Sequence, residues 1–364
     1  MTENRVLFLC TQMEAAGVQT RAIRMHEALL AKGIQSEVVF LYKKRPAFDE
    51  GPTVKVIMDS PPKGPFAYIK GLIDCFLYIY RVKPTAVVGM AHYSSPLACM
   101  FGMLIGVKRR VGTQTNPPDT VPIPARFLDM MASLCGSYTA NICTSQTIFD
   151  YFSKYPEFYR SKLRLVYNGV KFTKSELSKS EARGKFNLPD GNLIISTGRL
   201  SDQKNHSLLI DVLALNPDVS LAILGDGELR VELEQRAAAA KVSERFYLVG
   251  ERQNFEVPHF LACGDVFAFP SRFEAFGLAL VEAMMAGLPI VCSDHPALKE
   301  VAGESVLMIS PVDPVAWSDQ IKTLLLNGQA AKELSEKSIS RGNNYSFERM
   351  LHGFEIYTLE PLAN

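Results

Sequence analysis

The sequence predicts an α/β chain of two Rossmann-like, doubly wound parallel-sheet domains. Three observations carry that expectation. Short β-branched apolar runs alternate with longer helical patterns along nearly the whole chain, the signature of βαβ units. The alternation occurs twice, on either side of the polar stretch KFTKSELSKSEARGK, residues 171–185. A chain of 364 residues has, at roughly 150 residues per domain, room for about two hydrophobic cores. Two domains imply a cleft between them.

Taken in order, strands are expected in the first half near Val6–Cys10, Glu37–Leu41, Val54–Ile57, Ala86–Gly89 and Ala140–Cys143. The apolar run of MTENRVLFLC is too short for a secretory leader and starts after the acidic Glu3, so it reads as the first strand. Thr85–Val107 carries no formal charge and reaches the length of about 20 residues that spans a bilayer. His92, Ser94, Ser95 and Pro96 interrupt it, and a buried strand, a turn and a buried helix explain it better. Residues 171–185 read as a linker with some helix, which puts a first domain at 1–170 and a second at 186–344. Strands of the second are expected near Leu193–Thr197, Ser220–Leu224, Phe246–Val249, Val266–Phe269, Pro289–Cys292 and Val306–Ile309. After the break at Gly342, Asn343 and Asn344 comes an amphipathic helix that could pack against either half.

Composition excludes several function classes. The net charge of +1, from 39 basic and 38 acidic residues, leaves no footprint for a nucleic-acid partner. Seven cysteines, without a C-x-x-C pair and in apolar contexts, fit free buried thiols in a reducing compartment, so the expected location is cytoplasmic.

Open parallel sheets bind ligands outside the carboxyl ends of their strands. The loops to inspect are therefore TQMEAAGVQT and MAHYSSP in the first half, and GRLSDQKNH, GDGELR, GERQN and PSRFEAFG in the second. Arg199 follows a strand and Lys204 precedes a helix that Asn205 is placed to cap with its side-chain oxygen. Two such cations beside a helix amino end suit a diphosphate, and equally they could be solvated charges paired to Asp202. In RFEAFGLALVEAMMAG a helix is expected from about Leu278 to Ala286, with Leu278, Leu280, Val281, Met284 and Met285 leaving it no polar side. Glu282 would then be buried and need donors. Those could be the vicinal hydroxyls of a ribose, or an arginine in the core. The first-turn amides of Phe276, Gly277 and Leu278 have no intrahelical partner and form an anion site. Glu274, outside the helix and beyond that anion, is placed where a sugar on the distal phosphate would present hydroxyls.

The residues GRL-x3-KN (Gly198–Leu200, Lys204–Asn205) and E-x7-E in EAFGLALVE resemble the family-4 retaining glycosyltransferases of GT-B fold. LGDGELR, LVG at Leu248–Gly250, YNGV at Tyr167–Val170 and the closing helix follow in that family's order. The resemblance implies that residues 345–364 cross back onto the first domain. It assigns Arg199 and Lys204 to the donor diphosphate, the amides of Gly277 and Leu278 to phosphate oxygens, Glu282 to the ribose and Glu274 to the donor sugar. His92 in MAH matches a family histidine close to the transferred sugar, although a histidine at a strand end also serves structurally. Base recognition in such folds falls near GERQN, which makes Arg252 a donor-side candidate, and uridine is the family's commonest base. Two departures stand out. The first loop has Ala16 where a second glycine is common beside Gly17, and VGTQTNPPD puts Gln114, Thr115 and Asn116 where a second histidine is frequent.

What this implies is a retaining hexosyltransferase that takes a nucleotide-diphosphate sugar, with UDP as the expected nucleotide, to a glycan, lipid-linked or small-molecule acceptor in polysaccharide or glycoconjugate biosynthesis. No D-x-D pair occurs in the sequence, so no metal and no other cofactor is expected. Phe66–Lys83, aromatic and flanked by Lys63, Lys70, Arg81 and Lys83, suits peripheral contact with the inner face of a membrane. Asp74 and a nearly all-round apolar pattern fit a buried helix as well. An epimerase or hydrolase of nucleotide-sugars, or a non-catalytic nucleotide-sugar binder, are the competing readings. A dehydrogenase is disfavoured by Arg230 where G-x-G-x-x-G wants a third glycine.

Overall fold

The computed structural model of the chain describes residues 4–14 and 17–360. It divides into two compact units, Met1–Tyr167 with Met350–Asn364, and Asn168–Arg349. In the first unit the elements run β1 (Arg5–Met13), α1 (Gly17–Ala31), β2 (Gln35–Lys43), β3 (Val54–Met58), α2 (Pro65–Val82), β4 (Ala86–Gly89), α3 (Ser94–Leu104), β5 (Arg109–Gln114), α4 (Ile123–Leu134), β6 (Ala140–Cys143), α5 (Gln146–Phe152), α6 (Glu157–Arg160) and β7 (Leu163–Leu165). The sheet is parallel in the order β3-β2-β1-β4-β5-β6-β7. Strand order reverses between β1 and β4, so the loops that follow these two strands flank the crevice where such sheets take ligands.

In the second unit come α7 (Lys179–Lys185), β8 (Asn192–Thr197), α8 (His206–Ala214), β9 (Val219–Leu224), α9 (Arg230–Ala239), β10 (Phe246–Gly250), α10 (Val257–Leu261), β11 (Val266–Phe269), α11 (Leu278–Ala286), β12 (Ile290–Ser293), α12 (Pro296–Ala302), β13 (Leu307–Ile309), α13 (Pro314–Leu326) and α14 (Gly328–Gly342). Its order is β10-β9-β8-β11-β12-β13, again parallel, with the reversal between β8 and β11. The central strands β11 and β12 are buried at every residue, as expected of strands covered by helices on both faces.

The stretch expected as a linker with some helix carries one short helix. Ser178 and Glu181 form a capping box that starts α7. Buried Arg183 then donates to the carbonyls of Cys263 (2.9 Å) and Gly191 (2.8 Å) and to Asp265 (2.8 Å). Those three bonds clasp the segment to the second sheet, and a polar composition hid them. The last helix, α15 (Phe347–Thr358), lays Phe354 under the Arg21 guanidinium (5.9 Å) and Glu355 against Lys32 (2.5 Å), both on α1. Two strands lie outside the sequence expectation, β5 and β7. RRVGTQ lacks an apolar run, yet Thr113 and Gln114 are buried because the fold satisfies them: Thr113 Oγ1 donates to the Gly89 carbonyl at 2.9 Å. Thr85–Val107 resolves into β4, a turn and α3, and no helix among the described residues is long and apolar enough to cross a membrane.

Candidate functional site

At the reversal in the second sheet, the loops after β8, β9 and β10 are joined by backbone. The amide of Gly198 donates to Leu224 (3.0 Å), that of Leu200 to Asp226 (3.0 Å) and that of Gly225 to Gly250 (3.0 Å). Gly225 has φ 143° and a Cβ there would sit 2.0 Å from the Gly198 carbonyl oxygen, so only glycine lets the GRL and GDG loops close on each other. The loop after β11 joins them. Arg272 N donates to Gln203 O at 2.8 Å, and Gln203 Nε2 to Phe273 O at 3.0 Å.

This lattice fixes the charged groups. Lys204, on a short turn at Asp202–Lys204, forms an ion pair with Glu274, and both side chains are largely buried. Its ammonium also lies 5.1 Å from the centroid of the Phe269 ring. The two residues that sequence reading assigned to different parts of a ligand are thus each other's partner. Asp202, the alternative acid, pairs with Arg272 at 3.5 Å. Arg199 is exposed, and among the described residues its guanidinium has no hydrogen-bond or ion-pair partner. Arg252 is exposed on the loop that follows β10, its Nη1 3.3 Å from the Glu251 carbonyl.

Asn205 departs from expectation. It is left-handed (φ 52°) and makes no side-chain cap; its Nδ2 donates instead to the carbonyls of Pro270 (3.2 Å) and Pro311 (2.9 Å). The side chain bridges three loops, and its Oδ1 accepts from Ser207 Oγ at 3.4 Å instead of from an α8 amide.

Helix α11 begins at Gly277, whose φ of 85° a side chain would resist and whose Cβ would meet Leu298 at 2.8 Å. The Gly277 carbonyl accepts the first bonds of the helix, from Leu280 and Val281, and the amides of Gly277 and Leu278, at the start of that turn, have no intrahelical acceptor. Phe276 is buried edge-on to Tyr345, ring centroids 5.4 Å apart, and anchors the turn. The helix is not buried on all sides. Leu278 is 38% exposed, and Ala279, Glu282, Met285 and Ala286 are half-buried on the same face. An apolar stripe around Glu282 made the helix look like core, whereas this stripe is partly exposed. Glu282 therefore sits one helical turn from the free amides rather than in the interior.

His295 was not anticipated. It follows β12, next to β11 in the sheet, and caps α12 by accepting from Ala297 N at 3.3 Å through Nδ1, which leaves Nε2 to carry the proton. Burial lowers its pKa, against the pull of the Glu274 and Asp294 carboxylates. A histidine in SDHP just past a strand end at the ligand edge was the available signal.

In the first unit, Gly17 is the exposed first residue of α1, after β1; its neighbour Ala16 lies outside the described residues. His92 sits in the turn after β4, half-buried, its ring 5.0 Å from that of Tyr93 and its pKa lowered by burial. Ser94 and Ser95 pin that turn: Ala91 N donates to Ser94 Oγ at 2.9 Å, and Ser95 Oγ to Gly89 O at 3.0 Å. His92 borders an open recess of about 250 Å³ with Gln114, Val121, Arg126, Asp129 and Tyr155. Asp129 is buried there and accepts from Tyr138 (2.5 Å), Tyr159 (2.5 Å) and Gln114 (3.1 Å). Burial raises its pKa and the three donors oppose the rise. Gln114, noted in the sequence only as a departure, orients this acid. Among the described residues no three His, Cys, Asp or Glu side chains cluster as metal ligands.

Two parallel-sheet units, each with its strand-order reversal, the second carrying a paired Lys–Glu before a glycine-started helix, define the class, and comparison with known proteins agrees. Residues 178–341 match the family model of the glycosyl transferases group 1. Among curated proteins the chain is 29% identical to a sulfoquinovosyl transferase of Arabidopsis thaliana over 49% of this chain and 37% of that one. It is 32% identical to the N-acetylgalactosamine-N,N'-diacetylbacillosaminyl-diphospho-undecaprenol 4-alpha-N-acetylgalactosaminyltransferase of Campylobacter jejuni, over 42% of each. The chain thus spans about two fifths of the length of these relatives. Among solved structures it resembles a glycosyltransferase of Rickettsia africae (TM-score 0.80, 16% identity, 98% of each chain). It also resembles Anabaena HepE in complex with UDP and glucose (TM-score 0.77, 17% identity, 96% of this chain and 97% of that one). The fold is that of the GT-B glycosyltransferases.

Proposed function

We propose that the chain is a retaining, metal-independent glycosyltransferase that moves a hexosyl group from a UDP-sugar to a glycan or lipid-linked acceptor. The observation that carries the reading is the Lys204–Glu274 pair beside the amides that open α11. A cation at the phosphate end and a carboxylate at the sugar end, held by one backbone lattice, match a diphosphate joined to a polyol. The C. jejuni relative's name specifies a diphospho-undecaprenol acceptor, and HepE was solved with UDP and glucose.

On this reading the donor diphosphate draws Lys204 from Glu274, with Arg199 and the Gly277 and Leu278 amides completing the charge compensation. These groups stabilise the phosphate as the anomeric C–O bond breaks. The acceptor hydroxyl attacks the same face, its proton passing to a departing phosphate oxygen, and the new glycosidic C–O bond forms with retention. Glu274, freed from Lys204, orients the sugar and offsets positive charge on the anomeric centre. Glu282 takes the ribose hydroxyls, Arg252 lies toward the base, and Gly17 and His92 keep the roles the resemblance implies near the donor and its sugar. A protein acting this way inside the cell, on the inner face of a membrane where its acceptor is a lipid, needs no nucleic-acid partner.

A thermal-shift panel of UDP, GDP and ADP with their sugars in EDTA tests the reading, since a bound nucleotide stabilises the folded state by mass action. UDP-sugar should raise Tm by several degrees without metal. A shift that appears only with a divalent ion refutes metal independence, and a shift with none of the nucleotides refutes the reading itself.

A further inference from the structure

Helix α2 has apolar residues on both sides. Gly71, Cys75 and Ile79 face the core, while Phe66, Ile69, Ile73, Leu77 and Tyr80 are exposed, Phe66 at 88%. Spacings of three and four residues put these five on one outer stripe. Helix α4 repeats the pattern: Ala125, Asp129 and Ala132 point inward, and Ile123, Phe127, Met131 and Leu134 are exposed, Ile123 at 76% and Phe127 at 68%. Between them α3 packs against both neighbours, joined to α2 by the edge-on contact of Phe76 with Phe101 at 5.5 Å, and ends in Leu104, 69% exposed. Three adjacent helices on one face of the first sheet therefore turn hydrophobic side chains to solvent, where a water-facing helix carries polar ones.

The charges around this face share one sign. Lys63, Lys70, Arg81, Lys83, Lys108 and Arg126 are exposed and, among the described residues, in no salt bridge. Asp74 on α2 and Asp119 before α4 are the acids set against them. A second copy of the chain docked symmetrically on this surface would bring the same cations together. An anionic lipid surface compensates them and takes up the apolar stripes at once. We infer that the α2–α3–α4 face docks on an anionic membrane, with α4 as well as α2 entering the headgroup layer. This rests on the proposed function in one respect, that the acceptor is carried by a lipid. Val121, Ala125 and Arg126, which line the recess beside His92, belong to α4 or the residues just before it, so docking sets that recess at the lipid surface.

The test is co-sedimentation of the full chain with vesicles of phosphatidylcholine alone and with about one third phosphatidylglycerol. Wild type should sediment with the anionic vesicles and little with the neutral ones. Lys63→Glu/Lys70→Glu and, separately, Ile123→Glu/Phe127→Glu should each weaken binding at least about tenfold. Lys332→Glu/Lys337→Glu on α14 should bind like wild type. All substituted positions are exposed, and unchanged melting shows that the variants fold. No binding to anionic vesicles at low salt, variants that bind like wild type, or a dimer in light scattering that the α4 variant abolishes would each overturn the inference. UDP-induced stabilisation, measured on the same preparations, reports separately on the proposed function.

Discussion

The two sheets end in ligand edges built by different means. At the second, backbone does the positioning: Gly198, Leu200, Gly225 and Gly250 are joined amide to carbonyl, and the charged side chains stand on that lattice. At the first, side chains do it, with Asp129 gathering Tyr138, Tyr159 and Gln114, and Ser95 with Thr113 tying β4 to β5. A backbone lattice demands glycines at fixed spacings and tolerates little else. A side-chain network can be assembled from residues scattered over the chain, so it leaves no compact motif and is free to be peculiar to one protein.

That contrast can be broken experimentally. The largest expected effect is on turnover: Lys204→Ala should lower kcat/KM about 10²–10³-fold, the usual range for removing one preorganised electrostatic stabiliser, and should also lower the urea midpoint, because the largely buried Glu274 loses its partner. Steady-state kinetics beside a denaturation curve checks it, and activity within a few-fold of wild type would show that Lys204 is only a structural partner of Glu274. Asp129→Ala should act on stability alone. It leaves the O–H donors of buried Tyr138 and Tyr159 without their acceptor, a loss of ~2–3 kcal/mol, seen as a lower urea midpoint while UDP still stabilises what folds. If it weakened UDP-induced stabilisation instead, the two edges would not be separable. The smallest change is Gly225→Ala, at ~1–3 kcal/mol for forcing a Cβ against the Gly198 carbonyl, measured as a Tm shift; no shift would mean that the loops do not depend on each other.

Legibility in the sequence followed the same division. GRL-x3-KN and E-x7-E located Arg199, Lys204, Glu274 and Gly277 because a backbone-built edge is short in sequence. β5 escaped because Val111 is its one buried apolar side chain, beside buried Thr113 and Gln114, and its partners, Gly89 and Ser95, are 18 or more positions away. Glu282 was placed too deep, since an apolar helix face looks the same in sequence whether it meets core or stays partly exposed. Arg183 stands in a polar run, and its burial rests on bonds to Cys263 and Asp265, some 80 positions away, that no local pattern announces. The outward stripes of α2 and α4 were ambiguous for the same reason: periodicity names a face but not what lies beyond it.

The Lys204–Glu274 pair has one more consequence. With the two groups neutralising each other, this edge shows an arriving anion little of Lys204's attraction, and a bare phosphate that captured the lysine would strand a largely buried carboxylate. On the proposed reading, a ligand with phosphate at one end and hydroxyls at the other satisfies both separated halves, whereas a sugarless nucleotide satisfies one. The pair is then a filter for the intact donor, and UDP-sugar should outbind its own by-product, UDP, which favours release after transfer.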